Sequence, residues 1–163
     1  MTRKTKVMAT LACAFAAAAT VTGGSIATAG GASKSSGNQL AGTWSVTVNR
    51  PAPLPPLQSL QVYTGAGSMV ESGNDSVSRS PQYASWLRVH GHEYAATGIF
   101  FRFDPQTGAF LGKQKINRTI VVSEDGQSFT FSGRATAYDA NGNALASFPV
   151  GGTGQRLEVE AQP

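Results

Sequence analysis

The stretch AFLGKQKINRTIVVSEDGQSFTFSGRATAY, Ala109–Tyr138, decides the fold class of this chain. In its second half, Phe129, Phe131 and three small residues occupy every second position, with serine, threonine and arginine between them. A period of two predicts a β-strand with one buried face. The tripeptide EDG, Glu124–Gly126, supplies residue types that a tight turn prefers. The stretch therefore predicts two long antiparallel strands joined as a hairpin.

Short segments with similar alternation occupy most of the chain after Leu40, and no convincing helical period appears. Gly65–Gly67, Asp104–Gly108 and Asp139–Asn143 are predicted turns. Eight or nine strands in roughly 120 residues favour a closed, antiparallel up-and-down β-barrel of about eight strands, because closure removes exposed edges. A β-sandwich is the alternative. The predicted strands are Leu40–Asn49, Leu57–Thr64, Ser68–Ser72, Ala84–Val89, Glu93–Asp104, Ala109–Ser123, Gln127–Tyr138, Ala144–Phe148 and Gln155–Glu160.

The N-terminal segment has the order of a secretory signal peptide. A basic start is followed by the apolar run Val7–Val21 and then by the small residues Ala27–Ala29. We expect cleavage after Ala29 and a secreted, extracellular protein, and the alanine- and glycine-rich composition is typical of bacteria. A lipoprotein anchor at Cys13 is the alternative, although the apolar run before that cysteine is short.

Cleavage at Ala29 would change what composition implies. Cys13 is the only cysteine, so the mature protein would have no disulfide. Residues 1–29 hold three of the 13 lysines and arginines and none of the nine acidic residues, which leaves a net charge of about +1. That charge argues against a nucleic-acid partner or an anionic membrane surface, and no membrane span is predicted. Gly30–Gln39 is predicted to be a flexible tether, and residues 40–163 a single barrel domain that is a monomer or a homodimer.

The predicted hairpin places polar groups on its apolar face. Gln114, Ile116 and Arg118 alternate in phase with the apolar residues of their strand, and Phe129 and Phe131 line the same interior from the next strand. A buried guanidinium requires partners or water. Arg118 therefore lies near a barrel end or pairs with an interior carboxylate such as Glu93, or it orients the polar group of a ligand together with Gln114. A slip in register would instead place both outside.

The segment Glu93–Asp104 can be read in two phases. If Arg102 is solvated, the inward residues are Glu93, Thr97, Ile99, Phe101 and Phe103. Tyr94 and Phe100 would then lie outside, beneath a loop or against a second subunit.

The first predicted strand contains Gly42 and Trp44, and the last contains Arg156. The first and last strands of a barrel are neighbours, so the guanidinium can lie over the indole and close one end. A G-x-W near the N-terminus with an arginine in the final strand resembles the lipocalins and the wider calycin group. In this comparison Trp44 is architectural. The chain lacks the disulfides and the C-terminal helix of ordinary lipocalins.

The body of the chain, SWLRVHGHEYAATGIFFRFDPQTGAFLG, is also similar to small secreted β-barrel proteins of actinobacteria, some described only as lipocalin-like. A more distant resemblance in outline is to barrel cyclases of the allene oxide cyclase type, without a matching catalytic motif.

Motifs for other chemistry are weak. His90 and His92 flank Gly91, and two histidines at this spacing need a third ligand to hold a metal, so we read them as exposed turn residues. No nucleophile elbow or phosphate-binding loop is present. The sequence indicates no cofactor, no metal and no specific catalytic residue.

Three functions remain open at this stage. The first is binding of a small apolar or amphipathic molecule in the lumen, whose mouth would be framed by Arg50–Pro56 and Glu71–Tyr83. The second is a barrel cyclase or isomerase that acts on a hydrophobic substrate. The third is a secreted interaction protein with a filled core. The fold alone does not choose between them.

Overall fold

The computed structural model describes residues 38–50 and 53–162. The predicted signal peptide, its cleavage site at Ala29 and the tether before Asn38 lie outside these residues. No helix in the described ranges is long and apolar enough to span a membrane. The strands are β1 Gly42–Asn49, β2 Leu57–Tyr63, β3 Ser68–Gly73, β4 Gln82–His90, β5 Glu93–Phe103, β6 Phe110–Val122, β7 Ser128–Tyr138 and β8 Ala144–Arg156.

The eight strands form a closed barrel in which each strand is antiparallel to the next along the chain. Closure comes from β1 and β8, which pair from Trp44 opposite Arg156 to Asn49 opposite Gly151. The predicted all-β fold and its up-and-down topology are therefore confirmed. The hairpin at Ala109–Tyr138 is confirmed as well, with Ile120 opposite Phe131 and Ile116 opposite Ala135.

The last two predicted strands are in fact one strand, β8. It pairs with β7 from Ser128 to Tyr138 and runs through residues 149–154, which the prediction left between two strands. Gly152 and Gly154 are inward positions under aromatic rings, since a Cβ at Gly152 would overlap the ring of Phe131 and one at Gly154 the ring of Phe129. Glycine therefore makes room in the core here and does not mark a turn.

One end of the barrel is packed with large side chains. Trp44 lies 4.8 Å from Phe129 between ring centroids, and Tyr63 lies 6.0 Å from Trp86. These tilted and edge-on contacts belong to one buried cluster that also includes Leu40, Met69, Tyr94 and Ile120. Aromatic pairs at such distances contribute about 0.5–1.5 kcal/mol beyond their burial. This packed end holds the barrel together without a disulfide among the described residues.

The expected phase of β5 is wrong. Tyr94 and Phe100 are buried inside, whereas Ile99 and Phe101 are exposed outside. Pairing with β6 sets this phase, because Ala96 lies opposite Arg118 and opposite residues of neighbouring strands share a face.

The same phase of β5 determines where its other side chains lie. Glu93 lies at the strand end with its carboxylate 3.6 Å from His90, and Thr97 donates a hydrogen bond to Asn117 on the outer face. Arg102 faces the mouth of the lumen. The register shifts between Arg102 and Phe103, and Phe103 therefore also lines the mouth.

A candidate ligand site in the barrel lumen

The half of the lumen opposite the packed end is a cavity of about 590 Å³. Residues of the β1–β2, β3–β4 and β5–β6 connections frame its mouth, including Leu54, Ser78 and Pro105. The two segments predicted to frame the mouth thus contribute residues to it. The lumen of the barrel is therefore filled with side chains at one end and hollow at the other.

The wall of the cavity is mainly apolar. Most of its lining residues lie on the strands, and Leu54 and Pro105 add to it from the connections at the mouth. The apolar lining residues are Val48, Leu54, Leu57, Phe100, Phe103, Pro105, Leu111, Ile116, Phe131, Phe148, Pro149 and Val150. A small molecule in this space would contact mostly hydrocarbon.

Arg118 lies at the floor of the cavity. Ile120, the next inward residue of β6, is fully buried in the packed cluster, so Arg118 is at the boundary between the filled and hollow halves. Its residue exposure is 6 %. The guanidinium carbon lies 5.3 Å from the ring centroid of Phe131 and 6.0 Å from that of Tyr63. Arg118 is thus a charged group held against aromatic faces and largely removed from water.

The guanidinium of Arg118 has one oxygen partner among the described residues. Its Nη2 donates to Oε1 of Gln61 at 3.3 Å and approaches Sδ of Met69 at 4.0 Å. No described carboxylate lies within 4.0 Å of it, and the expected pairing with Glu93 does not occur. Because a guanidinium carries five N–H donors, most of the hydrogen-bonding capacity of Arg118 is not used by the described chain.

A network of hydrogen-bonded polar side chains extends from the cavity floor along β2 and β3. Tyr63 donates to Gln61 Oε1 at 2.7 Å, and Gln61 Nε2 donates to Glu71 Oε2 at 2.9 Å. The other oxygen of Glu71 accepts from Arg79 at 2.8 Å, and Arg79 also bonds Asp75 at 2.6 Å. Both oxygens of the buried Glu71 carboxylate are therefore occupied, which stabilises its charge in the interior.

Two residues of this polar network have shifted pKa values. Burial raises the pKa of Tyr63 to about 12, with the positive charge of Arg118 opposing the shift and Glu71 reinforcing it. Burial by itself would lower the pKa of Arg79, but its contacts with Glu71 and Asp75 raise it above the ordinary value. At neutral pH the phenol of Tyr63 is thus a fixed donor, and Arg79 is a fixed cation.

The ionised side chains that line the cavity are mostly positive. Four arginines, Arg50, Arg79, Arg102 and Arg118, face two carboxylates, Glu71 and Asp75. Nη1 of Arg102 is buried without a hydrogen-bond partner in the described part of the chain. The cavity therefore combines an apolar wall with an excess of cationic donors at its floor and its mouth.

The structure brings together some of the predicted lumen residues. Gln114, Ile116, Arg118 and Phe131 line the cavity. Phe129 faces inward but lies in the packed cluster. Glu93, Thr97 and Phe101 do not line the cavity, because β5 has the opposite phase from the one expected.

Sequence reasoning missed Gln61, Glu71, Arg79 and Arg102 as lumen residues. The segment LQSLQVY gives only a weak signal, since both of its alternating faces mix polar and apolar side chains. Arg79 lies outside the regular strands and enters the lumen through its pairing with Glu71. Only the three-dimensional pairing of β2, β3 and the loop after β3 identifies this group.

Gln82 is a further buried polar residue. It is 1 % exposed, and neither atom of its amide has a hydrogen-bond partner in the described ranges. Its side chain crosses Gly98, where a Cβ would overlap the amide nitrogen. A residue larger than glycine at position 98 would therefore displace Gln82.

The packed end is closed by the residues that suggested the lipocalin resemblance. The guanidinium of Arg156 lies 4.3 Å from the ring centroid of Trp44. It donates to the carbonyls of Gly126, at 2.6 Å, of Ala41, at 2.9 Å, and of Gln39. Gly42 has a φ of 137°, and a Cβ there would collide with Arg156. Trp44 itself donates from its indole to Leu40 at 2.9 Å.

His90 and His92 lie at the β4–β5 turn, outside the lumen. The side chain of His90 is largely exposed, with Glu93 3.6 Å away. The described residues contain no group of three or more histidine, cysteine, aspartate or glutamate side chains that could hold a metal ion. This turn therefore contributes nothing to the lumen site.

No protein family, no curated protein and no solved structure matches the chain in comparisons of sequence and fold. The chain is a closed, eight-stranded antiparallel barrel.

Proposed function

We propose that this protein is a secreted, lipocalin-like barrel that binds one small amphipathic molecule in its lumen. The observation that carries the proposal is the cavity of about 590 Å³ in a barrel that is open at one end and closed at the other by Trp44 and Arg156. Small-molecule sites usually have volumes of about 300–1,000 Å³ and apolar walls with a few polar groups. The lumen fits this description, because the wall around Ile116 is mainly apolar and the guanidinium of Arg118 is a polar group at the floor.

The hollow half of the lumen argues against an interaction protein with a filled core. Large side chains fill the end around Phe129, yet the inward positions of β7 continue as Ala135 and Ala137 toward the mouth. The side chains of this end are thus much smaller than the rings that fill the packed end. Because empty apolar space lowers stability, a site for a ligand is a physical reason to keep it.

Binding is tested with N-phenyl-1-naphthylamine, a neutral probe whose fluorescence rises in apolar surroundings. We expect saturable binding of one probe per chain. Ile116→Trp fills the cavity from β6 and should weaken binding at least tenfold. Thr119→Trp places the same ring on the outer face of that strand and should leave binding unchanged.

The proposal fails if the wild type shows no saturable binding, or if Ile116→Trp binds the probe as well as Thr119→Trp does. Native mass spectrometry of protein from its source organism gives a second test, in which an added mass of a few hundred daltons identifies a retained ligand.

We also propose that the chain is exported and cleaved after Ala29. The supporting pattern is the basic start, apolar run and small-residue motif of residues 1–29. Mass analysis of the culture supernatant should give a chain that begins at Gly30. A full-length chain confined to the cells would contradict this proposal.

A further inference from the structure

We infer that the lumen ligand carries an anionic group, and that this group binds Arg118 at the cavity floor. The inference rests on the proposed lumen-binding function and specifies the ligand class: an amphipathic anion with an apolar body. It follows from the charges of the lumen, from the hydrogen-bonding capacity of Arg118 and from the position of the floor.

The charge of Arg118 has no direct neutralising partner among the described residues. Glu71 is the nearest buried carboxylate in the polar network, but its oxygens accept from Arg79 and Gln61. Gln61 separates that carboxylate from Arg118, because its amide nitrogen bonds Glu71 and its oxygen bonds Arg118. A buried guanidinium in this position favours an incoming anion over a neutral or cationic group.

The donor geometry of Arg118 also suits a carboxylate or a similar oxyanion. Nε and Nη1 have no protein acceptor in the described ranges, and Nη2 has only Gln61 Oε1 and a long contact to sulfur. A planar guanidinium can present two parallel N–H groups to one carboxylate. The aromatic rings of Tyr63 and Phe131 hold the guanidinium from the sides. The group is therefore fixed before the ligand arrives.

The floor lies far enough from the mouth for an extended apolar body. Gly112 pairs with Arg102 at the mouth, and Arg118 follows six residues later in the same strand, which corresponds to about 20 Å. Ile116 and Phe100 line the wall between them. An anion at the floor would thus extend its hydrocarbon along the wall toward Arg102.

Three ligands of equal chain length test this inference: decanoate, 1-decanol and decylammonium, each titrated at pH 7 by displacement of N-phenyl-1-naphthylamine. We expect wild-type protein to bind decanoate at least tenfold more tightly than decanol, and decylammonium most weakly. Arg118→Met should remove the preference for decanoate and change the affinity for decanol less than threefold. Arg134→Met alters an arginine on the outer face of β7 and should keep the preference.

Each other outcome is decisive. Equal binding of decanoate and decanol by the wild type overturns the inference while leaving the lumen function intact. If the preference for decanoate survives Arg118→Met but disappears in Arg102→Met, the anion binds at the mouth, and the inference about Arg118 is overturned. Failure of all three compounds and the naphthylamine to bind overturns the proposed function, and the inference falls with it.

A second, independent observation concerns the outer surface. Val62, Val70, Tyr83 and Ile99 are direct cross-strand neighbours on β2, β3, β4 and β5. All four point outward and are exposed, Tyr83 by 65 %. We call this row, together with the flanking Leu60 and Phe101, the outer apolar face. From its exposed fractions it presents roughly 600 Å² of surface, the upper end for the largest apolar patch on a monomer.

We propose that a second copy of this chain covers the outer apolar face in a two-fold symmetric dimer. A stable interface needs about 800 Å² from each partner, and the six residues supply most of it. The outward positions near them on β3, β4 and β5, such as Ser68, Ser85 and Thr97, are uncharged, and charge enters only on β6, where Lys115 lies opposite Ile99 and Lys113 opposite Phe101. A face without charge can pair with itself, because two-fold symmetry brings no like charges together. Lys113 and Lys115 on β6 bound it on one side.

Sedimentation velocity at about 5–100 µM tests this proposal, because this concentration range spans the dissociation constants of micromolar dimers. We expect the wild type to sediment as a dimer and Tyr83→Lys as a monomer. Thr130→Lys introduces the same charge on the outer face of β7 and should remain a dimer. A wild-type monomer throughout the range overturns the proposal, as does a Tyr83→Lys variant that still forms dimers. Trimers or larger assemblies overturn the two-fold arrangement.

Discussion

Replacement of Arg156 by lysine tests how the packed end of the barrel is closed. Arg156 donates to three carbonyl oxygens from two parts of the chain, at Gln39 and Ala41 before β1 and at Gly126 in the β6–β7 turn, and covers the indole of Trp44. Lysine keeps the positive charge, but its single ammonium group lacks the planar fork that reaches all three oxygens. Arg156→Lys therefore separates the geometry of the guanidinium from its charge.

The expected cost follows from the bonds that are lost. A hydrogen bond from a charged donor contributes about 1.5–3 kcal/mol, and the lower value applies here because Arg156 is only half-buried. Loss of two of the three bonds lowers the free energy of unfolding by about 3 kcal/mol. Arg156→Leu loses all three bonds and also the contact with the indole, worth about 0.5–2 kcal/mol, and should cost about 5–6 kcal/mol.

Urea unfolding followed by circular dichroism measures these changes. With a slope of about 1.5 kcal/mol per molar urea, Arg156→Lys should lower the midpoint by about 2 M. Arg134→Lys, on the outer face of β7, is the matched control and should change stability by less than about 0.5 kcal/mol. If Arg156→Lys unfolds at the wild-type midpoint, the three carbonyl contacts do not close this end.

Three further predictions concern the core and the polar network. Burial raises the folded-state pKa of Tyr63 to about 12, so the stability that its protonated phenol contributes is present below pH 10 and is lost as pH rises through 12. Urea unfolding from pH 9 to 12 should show a loss of about 2 kcal/mol that Tyr63→Phe lacks, because half of the folded phenol is still protonated at pH 12. Gly154→Ala should destabilise by about 1–3 kcal/mol through overlap with a core ring, whereas Gly65→Ala, with open space around it, should cost less than about 0.5 kcal/mol by the same assay. Arg79→Met leaves the Glu71 carboxylate buried without its cation and should cost about 3–5 kcal/mol by the same assay at pH 7, and an unchanged urea midpoint would contradict the pairing.

The sequence predicts the fold best where one face of a strand is clearly apolar. In β7 the alternation from Phe129 to Ala137 leaves a single choice of phase, and the adjacent turn fixes the hairpin. The same logic identified Arg118 as an inward charge. Local pattern was sufficient there because burial alone decides the phase of a strand with one polar face.

The phase of β5 could not be predicted in that way. Phe100, Phe101 and Phe103 place aromatic rings on both faces, and Arg102 was expected in solvent although it lines the mouth of the cavity. The outer aromatic Phe101 is exposed rather than buried. An apolar outer face removes the contrast between faces on which sequence reasoning depends.

The polar network was unpredictable for a different reason. Gln61, Glu71 and Arg79 belong to two strands and a loop, and nothing in the local sequence of any one of them marks a partner. Their roles arise from the pairing of β2 with β3, which brings Gln61 opposite Glu71. Residue contacts of this kind follow from register and not from composition.

Cysteine accessibility tests the central claim of a hollow and a filled half most directly. In a Cys13→Ser background, Ile116→Cys and Ile120→Cys place thiols on the same inner face of β6, four residues apart. Ile116 lines the cavity, and Ile120 is fully buried in the packed cluster. The exposed Val121→Cys sets the rate for a free thiol. We predict that a small maleimide labels Ile116→Cys within about tenfold of the Val121→Cys rate and labels Ile120→Cys at least about a thousandfold more slowly, since reaction there requires unfolding. Equal protection of Ile116→Cys and Ile120→Cys would mean that the lumen is filled throughout, and the account would be wrong.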